Sequence, residues 1–254
     1  MTLTAERVSM TFGGLVALDD VTLAVPGNRI TGLIGPNGAG KTTLFNCLTG
    51  LYAPTSGRIL LDGRPLAADP AQAMRGGVAR TFQNIRLFPG MSALDNVLVG
   101  RHTRIKQGLL AALLHGPGFR KSEAAATERA RAELEFVGLG PEGHMPARSL
   151  AYGDQRRLEI ARALAGDPAV LMLDEPTAGM NGTETADISA LITAIRDRGI
   201  AVVVIEHDTK FIFSLCDHVY VLVRGRMLVD GPPATVRTDP RVIEAYLGAT
   251  ECSK

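Results

Sequence analysis

Three short stretches of the chain, at 30–34, 170–173 and 202–205, are apolar without alternation. Runs of that length predict strands buried on both faces. The pattern is different nearer the start. Val8, Met10 and Phe12 alternate with polar neighbours, Gly13-Gly14 turns, 21–25 alternates again, and Pro26-Gly27-Asn28 turns. An antiparallel edge sheet is expected there, with 57–63 adding a strand that ends at Asp62-Gly63. Helical spacing takes over later. Leu134 and Val137 share a stripe over 123–137, stopped by Gly138, and Leu158, Ala161 and Leu164 share another over 156–165. Ile188, Leu191, Ile192 and Ile195 mark a helix over 182–198, with Arg196 and Arg198 in its last turn and Gly199 beyond. A hairpin around Arg224-Gly225 and a helix striped by Val242, Ile243, Tyr246 and Leu247 close the chain. These elements predict an α/β core over 1–91 and 166–254, interrupted by a helical subdomain over 92–165 that Pro117-Gly118, Pro141 and Pro146 punctuate.

Composition narrows the function. With 254 residues and 46% hydrophobic content, the chain can bury one substantial core. The balance of 27 basic against 26 acidic residues gives a net charge of +1, so no global field draws in nucleic acid, and none is expected as a partner. Cys47, Cys216 and Cys252 are far apart and lack zinc or redox spacing, which predicts packing thiols in a reducing compartment. The first residues show no signal-peptide pattern. The longest apolar run, 109–114, is far short of the roughly 20 residues needed to span a bilayer.

Candidate chemistry begins directly after the first buried run. Gly35-Pro36-Asn37-Gly38-Ala39-Gly40-Lys41-Thr42-Thr43 matches the phosphate-binding loop in full, with a strand before it and a helix after it. Its glycines let successive amide N–H groups converge on phosphate oxygens, and the following helix points its positive end at the same place. Lys41 reaches the β and γ phosphates, Thr42 completes the shell of a bridging Mg²⁺, and Thr43 adds a hydroxyl. The second buried run ends in Asp174-Glu175: Asp174 is the candidate to hold hydrated Mg²⁺, and Glu175 to orient or deprotonate the attacking water. The third run delivers Glu206-His207-Asp208 to the same sheet edge, where an imidazole could donate to a γ-phosphate. Phe12 is either a core residue or a stacking face for a nucleobase. Gly153, in Leu150-Ala151-Tyr152-Gly153-Asp154-Gln155, is either a plain helix start or a second anion site.

The ordered set of phosphate loop, Gln83 in Arg80-Thr81-Phe82-Gln83-Asn84, the 150–155 motif, Asp174-Glu175 and His207 resembles the ATP-binding subunit of ABC transporters. The resemblance covers essentially the whole chain. It implies a P-loop NTPase (RecA-like) α/β core with an N-terminal antiparallel β subdomain and an inserted α-helical subdomain. It further implies a head-to-tail dimer in which each ATP lies between one subunit's phosphate loop and the other's signature motif, Ala151, Tyr152, Gly153 and Asp154. Gln83 would then be a metal-contacting sensor, Glu175 the catalytic carboxylate and His207 the γ-phosphate switch. The segments 84–89, 150–162, 205–208 and Tyr246-Leu247-Gly248 are similar to the ATPases of branched-chain amino-acid importers, with the ATPase of lipopolysaccharide export a second relative by pattern. Such a subunit works on the cytoplasmic face of the inner membrane with permease subunits, a second ATPase subunit (identical or sister) and, indirectly, a periplasmic binding protein. The chain departs from the general Leu-Ser-Gly-Gly-Gln signature at Ala151, Tyr152 and Asp154, and has Asn181 where the family usually has aspartate. The cluster Ile85-Arg86-Leu87-Phe88-Pro89 is either core or, by the resemblance, the joint beside a permease-docking groove.

Overall fold

The structure is a computed structural model and describes residues 1–101 and 117–251. Strands β1 (Thr2–Phe12), β2 (Leu15–Pro26), β4 (Ser56–Leu61) and β5 (Arg64–Pro65) form an antiparallel sheet in the order β2-β1-β4-β5. A second sheet holds β3 (Ile30–Ile34), β6 (Val78–Arg80), β7 (Val170–Asp174), β8 (Ala201–Ile205), β9 (His218–Val223) and β10 (Arg226–Gly231), in the order β10-β9-β3-β8-β7-β6. All its pairings are parallel except the β9–β10 hairpin.

The three unbroken apolar runs are β3, β7 and β8, and every residue in them is buried. Their side chains divide by the period-2 rule of a strand. Val170, Met172, Val203 and Ile205 pack with the antiparallel sheet and helix α1 (Lys41–Leu48), while Leu171, Leu173, Val202 and Val204 pack on the other face. That second cluster takes in residues of α3 (Ala93–Arg101), α4 (Pro117–Phe136), α5 (Tyr152–Leu164), α6 (Gly182–Asp197) and α7 (Thr209–Leu215). Helix α2 (Pro70–Gly76) leads into β6, and α8 (Pro233–Val236) and α9 (Pro240–Glu251) follow the hairpin.

Between 93 and 164 the described residues contain helices and no strand. Several short elements were not anticipated from the pattern, among them α2, β6 and α7, of which α2 and α7 carry a helix-start signal in the capping aspartates Asp69 and Asp208. Cys47 and Cys216 are buried and free; burial pushes the Cys47 thiol up to about 11, in keeping with a packing role. The run 109–114 and Cys252 lie outside the described residues. Among the described residues no helix is long and apolar enough to cross a membrane.

Strand register does the positioning. Leu33 of β3 and Asp174 of β7 both pair with Ile205 of β8, so the loops that begin at Gly35, Glu175 and Glu206 leave the sheet side by side at its C-terminal edge.

Candidate nucleotide site

The phosphate loop is shaped by close backbone approach. A methyl at Gly35 would come within 2.0 Å of the Leu222 carbonyl, and one at Gly40 within 2.6 Å of the Ala17 carbonyl. Gly40 is also the N-cap of α1, in the left-handed region at φ 101°, with no side chain satisfying the first-turn N–H groups and no acidic residue among them. Those donors and the helix dipole therefore remain available to an anion. Ala39 is buried and its carbonyl accepts from Gly225 N–H of the β9–β10 turn at 2.9 Å, while Asn37 and Gly38 are exposed at the loop tip. Lys41 Nζ donates to the Gly35 carbonyl at 2.6 Å and to that of Pro36 at 3.0 Å. Burial pulls the Lys41 ammonium below the usual lysine range, and the charges of Glu175 and Asp174 oppose that shift.

The acidic side of the site is equally specific. Asp174 is buried, and burial pushes its carboxyl up, against the pull of the Arg80 guanidinium. Glu175 follows it in the left-handed region, at φ 46°. A β-position is the norm before proline, and Pro176 comes next, so this conformation is strained by about 1–3 kcal/mol and must be held by its surroundings. Its N–H donates to the Ile205 carbonyl at 2.9 Å. Gln83 Nε2 donates to Glu175 Oε2 at 3.0 Å, and His207 Nδ1 lies 3.9 Å from Glu175 Oε1. Sequence reasoning missed Glu206 as a support: it is buried, and its carboxylate accepts from the Thr177 N–H and hydroxyl and from the His207 N–H. One acidic residue thus braces both the loop after Glu175 and the start of the His207 turn.

Thr42 is exposed and Thr43 half-buried in the first turn of α1. Among the described residues no cluster of three or more His, Cys, Asp or Glu side chains could hold a metal ion. That donor set suits an ion bound by one hydroxyl, one carboxylate, phosphate oxygens and water, which is how Mg²⁺ is usually held at phosphate sites. Phe12 ends β1 with 41% of its surface exposed and packs edge-on to Tyr52 at 5.5 Å, so the core alternative for Phe12 is excluded.

The signature residues do not join this cluster. Ala151 is the N-cap of α5, without a side-chain cap, and Tyr152, Gly153 and Asp154 form its first turn. A shallow pocket is lined by Ala151, Gly153, Asp154, Arg157, Met180, Glu184 and Ile188, with no phosphate-loop residue among them. The Tyr152 ring lies 3.6 Å from where a methyl on Gly179 would sit. Asn181 caps α6 in a capping box with Glu184, accepting from the Thr183 and Glu184 N–H groups. The departure from aspartate keeps the cap, because both side chains present the same acceptor.

A cavity of about 370 Å³ is lined by Met74, Phe82, Arg86, Val99 and Arg162 among others. Leu87 and Phe88, read as either core or beside a docking groove, are not in its lining: Leu87 packs on the core cluster, as the core alternative has it, and Phe88 is exposed with its backbone tied to the Asn96 side chain. Arg86, from the same stretch, does line it.

Comparison with known proteins decides the family. The model of the ABC transporter family matches residues 18–178. The chain belongs to that family. A second model, described as branched-chain amino acid ATP-binding cassette transporter, matches residues 226–251. The cassette is 48% identical over 248 residues to the high-affinity branched-chain amino acid transport ATP-binding protein BraF of Pseudomonas aeruginosa, with 97% of each chain covered. It is 47% identical, at the same coverage, to LivG of Escherichia coli K12, which bears the same description. Among solved structures it resembles the ADP conformation of an ATP-binding cassette of an ABC transporter, with a TM-score of 0.85 and 32% identity over 98% of this chain and 99% of the other. Its α/β core is a P-loop NTPase fold, and the cassette binds adenine nucleotide and hydrolyses ATP as its family does.

Proposed function

We propose that this cassette powers an importer of branched-chain or other hydrophobic amino acids, hydrolysing ATP at the cytoplasmic face of the inner membrane to drive partner permease subunits. The observation that carries it is a complete phosphate and carboxylate cluster at one sheet edge, in a chain 48% and 47% identical to two cassettes named for that transport. The same likeness favours import over the lipopolysaccharide-export alternative.

In this reading Phe12 stacks on the adenine, and the backbone of residues 35–43 cradles the phosphates. Lys41 leaves the Gly35 and Pro36 carbonyls for phosphate oxygens, trading neutral acceptors for charged ones. Thr42, Asp174 and Gln83 would hold Mg²⁺, which when bound neutralises charge developing on the phosphates. Glu175 takes the proton of the attacking water, with its carboxylate aimed by Gln83 and by the strained backbone that Ile205 holds. His207 donates to the γ-phosphate. The signature turn, whose pocket holds no residue of its own phosphate loop, completes the site of a second cassette, either another copy or a sister subunit. The apolar cavity between Phe82, Val99 and Met74 takes a short permease helix, with the helical insertion of residues 92–165 forming one of its walls. A periplasmic binding protein would act through the permeases alone.

Reconstitution with its permeases tests this directly. Labelled leucine should enter proteoliposomes only with ATP and the binding protein present. ATP-dependent lipid extraction without amino-acid uptake would overturn the assignment.

A further inference from the structure

Residues 81–88 belong to no helix or strand, so their backbone N–H and C=O groups must find partners elsewhere. Helix α5 supplies those of Phe82, Gln83 and Arg86 from three charged side chains spaced i, i+3 and i+6: Arg156, Glu159 and Arg162. Arg156 donates through one terminal nitrogen to the Phe82 carbonyl at 2.7 Å and through the other to the Gln83 carbonyl at 2.9 Å. Glu159 accepts from the Phe82 N–H at 3.3 Å and the Arg86 N–H at 3.4 Å, and it pairs with Arg156 at 3.0 Å. Arg162 donates to the Arg86 carbonyl. Arg156 is 0% exposed and Glu159 1%.

A fully buried arginine is rare, and a buried ion pair is seldom a gain over apolar packing of the same volume. Here the Arg156 Nε has no hydrogen-bond partner among the described residues. The guanidinium is thus oriented for the two loop carbonyls at the expense of one of its own donors. What it holds is the segment whose Gln83 side chain reaches Glu175. Arg156 is also one turn along from Tyr152, whose hydroxyl it contacts at 3.4 Å, at the start of the signature helix.

We propose that Arg156 is a positioning residue for ATP hydrolysis. By clasping the Phe82 and Gln83 carbonyls it keeps the Gln83 amide on Glu175, and it locks that setting to the signature turn on its own helix. Movement of α5 then shifts Gln83, and movement of Gln83 shifts Tyr152 and Gly153. This inference rests on the roles given above to Gln83 and Glu175.

A double-mutant cycle on the full-length cassette tests it, with Arg156→Gln, Gln83→Ala and the pair, reading kcat, nucleotide Kd and thermal melting separately. Arg156→Gln should leave nucleotide Kd within about twofold and lower kcat roughly 10-fold to 100-fold, the scale of a small misplacement at a reacting group. Arg156→Lys, which keeps the charge and one donor, should recover part of the rate. In the Gln83→Ala background the Arg156→Gln change should cost nothing further. Independent, multiplicative losses in the pair would overturn the clasp, and so would a kcat loss matched by an equal loss of nucleotide affinity. If Arg156→Gln does not fold, the same cycle is run with Arg156→Lys. Failure of both to fold marks the contact as core packing and overturns the proposal. A wild-type rate in Gln83→Ala alone overturns the role of Gln83 itself, and the clasp's purpose with it.

Discussion

Two glycine-bearing turns in this chain open onto helix N-termini, residues 35–43 before α1 and residues 151–154 at α5. Around the first, the Lys41 ammonium has the Asp174 and Glu175 charges close enough to act on it, and Gln83 and His207 reach Glu175. Around the second, the neighbours are Arg157, Met180, Glu184 and Ile188, and none of the residues gathered around the first is among them. The same local device, a helix start without a side-chain cap, thus sits among the phosphate-loop lysine and the strand-end carboxylates in one place and apart from them in the other. In the proposed reading, the difference means that one chain carries a reacting half and a closing half of a site, each of which meets its complement on a second chain.

Breaking the reacting half should have the largest effect. Lys41→Ala removes the ammonium that rests on its own loop carbonyls, so ATP hydrolysis should fall below detection while the fold survives. Turnover by phosphate release, alongside a thermal melt, checks both. Glu175→Gln is milder in kind: nucleotide binding persists and turnover drops by roughly 10²-fold to 10⁴-fold, the usual worth of a positioned general base. A wild-type rate in that variant would move the base elsewhere. The smallest effect belongs to the loop beside the closing half. Asn181→Ala removes the cap of α6 and should cost about 1 kcal/mol of stability, whereas Asn181→Asp, which keeps the acceptor, should cost close to none. Chemical denaturation of the two variants separates a capping role from a catalytic one.

The reacting half was legible in the sequence because its parts are local: a glycine pattern between a strand and a helix, and carboxylates at the end of an apolar run. Uniform apolarity of 30–34, 170–173 and 202–205 was enough to foresee β3, β7 and β8. Other features depend on contacts between distant segments. Arg156, Glu159 and Arg162 look like the charged face of an exposed helix, and the alternation of charge at i, i+3 and i+6 is the only local sign that they satisfy a loop some 70 residues away. Glu175 at φ 46° contradicts the preference of a residue before proline, and no local pattern announces it. The 85–89 cluster could be read either as core or, by the resemblance, as a joint beside a partner groove, and its residues divide: Leu87 turns onto the core, Phe88 is exposed, and Arg86 faces the cavity. Which way a side chain turns in an irregular stretch is set by packing and leaves no period to read.

That one chain holds two unlike halves is tested most directly by ATP-driven association. With hydrolysis blocked by Glu175→Gln, light scattering should show the cassette going from monomer to dimer when ATP is added, alone or with its sister subunit, and returning to monomer when ATP is removed. A protein that binds ATP yet stays monomeric at high concentration, both alone and with its sister subunit, would contradict a site closed by the signature turn of a second chain.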